Sequence, residues 1–139
     1  MADEKMTRDM AEKEFLSWCE ENDIETDTDF MTDANLTTFE SSKKEFIRFM
    51  CKGTLIVDGM NLEYTISRFS PEGMAGEKII IKRPSGNIWL ALDGKKDTER
   101  MHKMQNAISA LIGKDVGWIS KLDSKDWNFF MLMASLFLA

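Results

Sequence analysis

The chain has 139 residues, 43% of them apolar and 30% charged, with a net charge of −6. That is material for one domain of ordinary size and too apolar for a disordered chain. Cys19 and Cys51 have no second Cys or His at metal-ligand spacing, the start MADEKMTRDM lacks the apolar stretch of a signal peptide, and the most apolar run, Trp127–Ala139, falls short of the roughly 20 residues of a membrane span, so the expectation is a reduced, cytoplasmic protein without a membrane anchor.

Charge is placed unevenly along the chain. Residues 1–40 hold 13 acidic and 3 basic side chains, net −10, whereas the remaining 99 hold 11 and 15, net +4. This partition predicts an acidic N-terminal arm over residues 1–40, shielding a single α+β domain over residues 41–139. Within the arm, Ala11, Phe15, Trp18 and Cys19 recur at helical spacing, so an amphipathic helix is predicted over 7–20, starting near Thr7 or Asp9. The run Glu20–Asp33 then carries seven carboxylates and no cation, and reads as a solvated, mobile connector. Asp27 and Asp29 alternate as in an EF-hand loop, but Thr32 stands where that loop needs Gly and Thr38 where it needs a bidentate Glu, which excludes calcium binding of that type.

Ser42 with Glu45 three residues later has the form of a capping box, and Phe46, Ile47, Phe49 and Met50 supply an apolar face. Gly53 stands where a helix stop takes a left-handed residue, so a helix is predicted over 42–52. The period then changes to two. Residues 54–57 and 62–69 flank an Asp58-Gly59 turn, and Leu62, Tyr64 and Ile66 alternate with Glu63, Thr65 and Ser67, which predicts a hairpin with one wet face. Pro71, Gly73 and Gly76 interrupt the chain before a third strand at 78–83, and 88–92 is read as a fourth. Met101, Met104, Ile108 and Leu111, stopped by Gly113, mark a helix over 98–112. The last helix, 124–138, is capped by Asp123 or Ser124 and has Asp126 in its positive first turn. Only Asn128 and Ser135 form a polar seam on it, so it is covered on nearly all sides, by the domain itself or in part by a partner.

Little here carries catalysis. The one histidine, His102, lies off the apolar stripe of its helix and forms no Ser-His or Cys-His arrangement with the chain around it. Gly73-Met74-Ala75-Gly76 is followed by Glu77 before Lys78 and joins two strands, which departs from a phosphate-binding loop in both spacing and context. Asp123 and Asp126 have a sufficient structural role at a helix start. Lys43, Lys44, Arg48 and Lys52 share one side of a helix, and Lys78, Lys82 and Arg83 follow, but without an aromatic-basic signature in a net acidic chain; nucleic-acid binding is not expected. The residues point to no enzyme, no cofactor and no metal.

The succession GTLIVDGMNLEYTIS, KRPSG, a helix closing at Leu111-Ile112-Gly113, then LDSKDWNFF with Leu122 and Asp126, and a terminal Phe137-Leu138 resembles the small tail assembly chaperones of long-tailed bacteriophages and prophages. The resemblance covers Gly53–Ala139, about two thirds of the chain, and residues 1–40 have no counterpart in it. It implies a non-enzymatic chaperone or adaptor that binds the tape-measure protein, keeps it soluble and helps recruit tail-tube subunits; a homo-oligomer is compatible with it. The rival readings are a structural virion protein of the tail or neck, and a small enzyme or nucleotide-binding protein. Methionine-rich helix faces repack against several apolar partners. The expected partner-binding residues are therefore Met101, Met104, Phe130, Met133 and Phe137, with Phe137 the more available aromatic near the helix end. The expected architecture is an antiparallel meander of three or four strands packed against about three helices.

Overall fold

The computed structural model describes residues 6–86, 88 and 100–138, apart from the side chains of Arg100 and Met101. Helix α1 (Arg8–Glu21) starts where its sequence says it should, with the Thr7 hydroxyl accepting the Met10 amide at 3.3 Å and satisfying one of the free first-turn donors. At its other end Asp23 adopts φ 55, and the amides of Asp23 and Ile24 return to the carbonyls of Glu20 and Cys19. This is a Schellman stop built on aspartate, whose short side chain tolerates the left-handed region better than most.

Helix α2 (Asp33–Cys51) departs from expectation at its start. It begins nine residues before Ser42, capped by the Thr32 hydroxyl on the Asn35 amide at 3.1 Å. Ser42 is not a cap: it is fully buried in mid-helix, its hydroxyl directed at the Leu132 carbonyl at 3.4 Å, while Glu45 pairs with Arg48. The expected mobile connector is correspondingly short and carries a 3₁₀ turn, Thr28–Phe30. The stop is as expected, with Gly53 at φ 78 and the amides of Gly53 and Thr54 bonded to the carbonyls of Met50 and Phe49.

Strands β1 (Leu55–Asp58), β2 (Asn61–Thr65) and β3 (Lys78–Ile81) form an antiparallel sheet in the order β1-β2-β3. Asp58 pairs with Asn61 across the two-residue loop Gly59-Met60, and Gly59 takes φ 63, as the first central residue of a tight II′ hairpin turn requires. The register aligns Leu55, Tyr64 and Ile79 in one row and Val57, Leu62 and Ile81 in the next, all on the inner face. Ile56, Glu63 and Ile80 form the outward row between them. Of the stretch 88–92 read as a fourth strand only Ile88 is described, and it is buried and helical rather than extended; the rest lies outside the described residues.

Helix α3 (Arg100–Ile112) stops at Gly113, φ 71, as expected; its predicted first residues lie outside the described ones. A short helix, α4 (Val116–Ile119), is capped by Asp115 on the Trp118 amide at 2.7 Å and was not legible in the pattern. Helix α5 (Ser124–Leu138) packs against α2, α3 and the inner face of the sheet, where Tyr64 and Phe129 stack at 4.4 Å between centroids. The fold is α+β.

Residues of the acidic segment belong to the same core. Ala11, Phe15, Trp18 and Cys19 join one buried cluster with Phe46, Leu62, Tyr64, Phe129 and Phe130, and residues 40 and 41 are consecutive members of α2. The charge partition therefore marks no structural boundary. A row of carboxylates lines the outside of elements whose inner face is apolar, and burial of that face outweighs the modest repulsion of solvated charges.

Candidate functional site

The five residues singled out for partner binding do not form one surface. Phe130 and Met133 are fully buried, Phe130 edge-on to Tyr64 at 5.2 Å, so these two are core residues in the folded chain. Met104 is half-buried against the core, and the side chain of Met101 lies outside the described residues. Of the four whose side chains are described, Phe137 is the one that combines half-burial with an open space: its ring lies 5.5 Å from that of Trp18 and lines a cleft of about 600 Å³. His102 is exposed, as its helix position suggested.

Four stretches, from three separate parts of the sequence, build that cleft. The segment after α1 contributes Asp23, Ile24, Glu25, Phe30 and Met31; α2 contributes Asn35, Thr38 and Phe39; residues 83–86 and the end of α5, Leu136 and Phe137, complete the wall. The acidic segment holds its shape through short local bonds. The Glu25 carboxylate accepts the Asp27 amide at 2.9 Å, and Asp27 in turn accepts the Asp29 amide at 3.0 Å, closing the turn that leaves Phe30 78% exposed. Beneath it, the buried Asn22 side chain donates to the carbonyls of Trp18 and Met60, and the Trp18 indole donates to the same Met60 carbonyl at 3.2 Å. The end of α1 is thereby tied to the β1–β2 turn. The Arg83 guanidinium donates to the Asn22 backbone carbonyl, which holds that cation beside the cleft. Sequence reasoning missed this site because it read the acidic run as solvated; the usable signal was Thr32-Asp33, a capping hydroxyl followed by a first-turn acid.

A second constellation is chemically conspicuous and structurally complete. Asp126, fully buried, accepts four hydrogen bonds: from the Tyr64 hydroxyl at 2.6 Å, the Ser67 amide at 3.0 Å, the Ser67 hydroxyl at 2.7 Å and the Ser70 hydroxyl at 2.6 Å. Ser70 also accepts the Asp123 amide at 2.9 Å. A carboxylate with both oxygens so occupied has no lone pair directed at a substrate, and this one ties the start of α5 to β2 and to the loop behind it.

Two buried protons make the fold sensitive to alkali. Burial pushes the Cys19 thiol from 9.0 up to about 12, and burial, reinforced by the bond to Asp126, holds the Tyr64 hydroxyl above its ordinary 10.0. In the unfolded chain these protons leave first, so the stability they confer is intact below about pH 9 and declines as pH rises, by roughly 1.4 kcal/mol per pH unit for each group. Urea midpoints measured from about pH 7 to about pH 11 should be level and then fall, and Cys19→Ala should lessen the first part of the decline. A level series throughout would show that neither proton is held.

Among the described residues no group of three or more His, Cys, Asp or Glu side chains is placed to hold a metal, and no helix is long and apolar enough to cross a membrane. Comparison with known proteins returned no matching family model, no matching curated protein and no matching solved structure. The fold and the cleft define a small α+β domain with an open, partly apolar cleft between an acidic turn and the end of its last helix.

Proposed function

We propose that the chain is a non-enzymatic assembly chaperone or adaptor, which binds the tape-measure protein of a long-tailed phage or prophage and helps recruit its tail-tube subunits. The observation that carries this reading is the cleft at the end of α5, where half-buried Phe137 and Met31 lie over nearly buried Leu136 and Phe39 and beside exposed Phe30. Apolar surface left open beside a well-packed core is the usual form of a protein-binding site, and a half-buried aromatic is its usual anchor. The resemblance of residues 53–139 to tail assembly chaperones supplies the class of partner. Co-expression with the tape-measure protein of the same phage or prophage tests the reading: the chain keeps that protein in the soluble fraction and co-purifies with it, whereas an insoluble tape-measure protein and no co-purification would refute it.

Two substitutions on α5 separate packing from binding. Phe130→Ala empties a fully enclosed site and should cost about 3–5 kcal/mol in urea unfolding. Phe137→Ala removes a ring that is only half-buried; the expected loss of stability is smaller, about 1–2 kcal/mol, together with loss of co-purification. Equal, severe destabilisation by both, or full co-purification by a folded Phe137→Ala, would remove Phe137 from the interface.

A further inference from the structure

The cleft is asymmetric in charge, and that asymmetry selects among occupants. On the connector side, Asp23 and Glu25 line it while Asp27 and Asp29 continue the same exposed turn, so four carboxylates lie within seven residues. The ion pairs formed among the described residues join Glu12, Glu45, Glu63 and Glu77 to lysine or arginine, and none of them draws on these four. Among the described residues the cation lining the cleft is Arg83, which donates to the Asn22 carbonyl. The lining is mixed: Asn35, Thr38 and Ser85 add polar surface to an apolar part made of half-buried Met31 and Phe137 over nearly buried Phe39 and Leu136. Two lining carboxylates, with two more on the turn beyond them, beside the apolar surface of Met31, Phe30 and Phe137 are the complement of a segment with an apolar anchor and cationic flanks: anchor burial provides affinity, and opposite charge provides orientation and rate of encounter.

We propose that this cleft binds an amphipathic helical segment of a partner protein in which one or two large apolar side chains are flanked by lysine or arginine. The inference rests on the reading of the chain as a protein-binding adaptor and names the chemistry of what it holds. A volume of about 600 Å³ fits one or two such side chains, and one helix face supplies anchors and cations together through its i, i+3 and i+4 positions. An acidic or purely apolar segment gains nothing from the carboxylate rim.

The test uses the full chain and two fluorescein-labelled peptides of about four helical turns, one built of Leu and Lys, the other of Leu and Glu, read by fluorescence anisotropy. The Leu/Lys peptide should bind at least about tenfold more tightly than its acidic counterpart, with an advantage that shrinks at high salt. Thr38→Trp, or Asn35→Trp should the first fail to fold, fills the cleft from the half-buried side of α2 and should weaken Leu/Lys binding about tenfold in a chain with unchanged circular dichroism. Asp23→Asn combined with Glu25→Gln and Asp29→Asn should remove most of the preference between the peptides. Equal binding of the two peptides, binding of neither, or undiminished binding by a folded cleft-filled variant would overturn the proposal. So would self-association in sedimentation equilibrium that the cleft-filled variant abolishes, which would make a second copy the occupant. Co-purification of the tape-measure protein with a cleft-filled variant refutes this inference and leaves the adaptor reading standing; a positive peptide result without tape-measure binding does the reverse.

Discussion

A chain lacking residues 1–40 is expected to show no cooperative unfolding transition. The truncation removes all of α1 and the first turns of α2, and with them Ala11, Phe15, Trp18, Cys19 and Phe39 from the core. Phe15 lies 4.8 Å from Phe46 and 5.6 Å from Phe39, and Trp18 lies 5.2 Å from Phe46, so the remaining rings would face water. Emptying a single large aromatic site costs about 3–5 kcal/mol, and Phe15 and Trp18 together therefore approach the ~5–15 kcal/mol that holds a whole domain folded. Relief of acidic self-repulsion acts in the other direction and is too small to compensate. Exposed charges interact through water and salt, and even a formed surface pair such as Lys43–Glu12, 3.1 Å apart, contributes no more than about 1 kcal/mol. Far- and near-ultraviolet circular dichroism during urea titration decides the matter. A truncated chain with a sigmoidal transition near the full-length midpoint would show that α1 is an accessory to the fold.

Asp126→Ala should be the most damaging single substitution in the polar part of the core, with an expected loss of about 3–5 kcal/mol, the range for leaving a buried polar network without its charged member. Four donors lose their acceptor at once. The two serine hydroxyls can turn toward other oxygens, but the Ser67 amide points where the backbone sends it, and the Tyr64 hydroxyl sits on a ring stacked against Phe129. Asp126→Asn should cost less, roughly 1–2 kcal/mol, since an amide oxygen can serve Tyr64 and Ser67 while the amide nitrogen donates to the serine oxygens. Tyr64→Phe should fall in the same range, because Asp126 keeps three of its four donors. The order Ala much worse than Asn, and Asn similar to Tyr64→Phe, identifies an acceptor shared by several donors. A loss below about 1 kcal/mol for Asp126→Ala would mean that water replaces the carboxylate and that the network does not brace the fold.

What could be read in the sequence was whatever a few neighbouring residues decide. Thr7 starts α1, Gly53 and Gly113 stop α2 and α3, Gly59 turns the hairpin, and the alternation of Leu62, Tyr64 and Ile66 sets the inner face of the sheet. Each of these follows from a cap, a left-handed backbone or a period of two, none of which depends on distant contacts. One local signal misleads, and two other things were decided by the tertiary structure alone. Ser42 with Glu45 reads as a helix start but lies inside α2, because a serine followed three residues on by glutamate is also compatible with a helix interior and Thr32 provides the earlier cap. Asp126 reads as an ordinary first-turn acid, and its role as shared acceptor depends on Ser67 and Ser70, 59 and 56 residues away. The acidic run reads as solvated because its charges face water; that its neighbours Phe15, Trp18 and Phe39 bury the opposite side, and that Asp23 and Glu25 then border a cleft with Phe137, follows from long-range packing, which no local pattern of charge encodes.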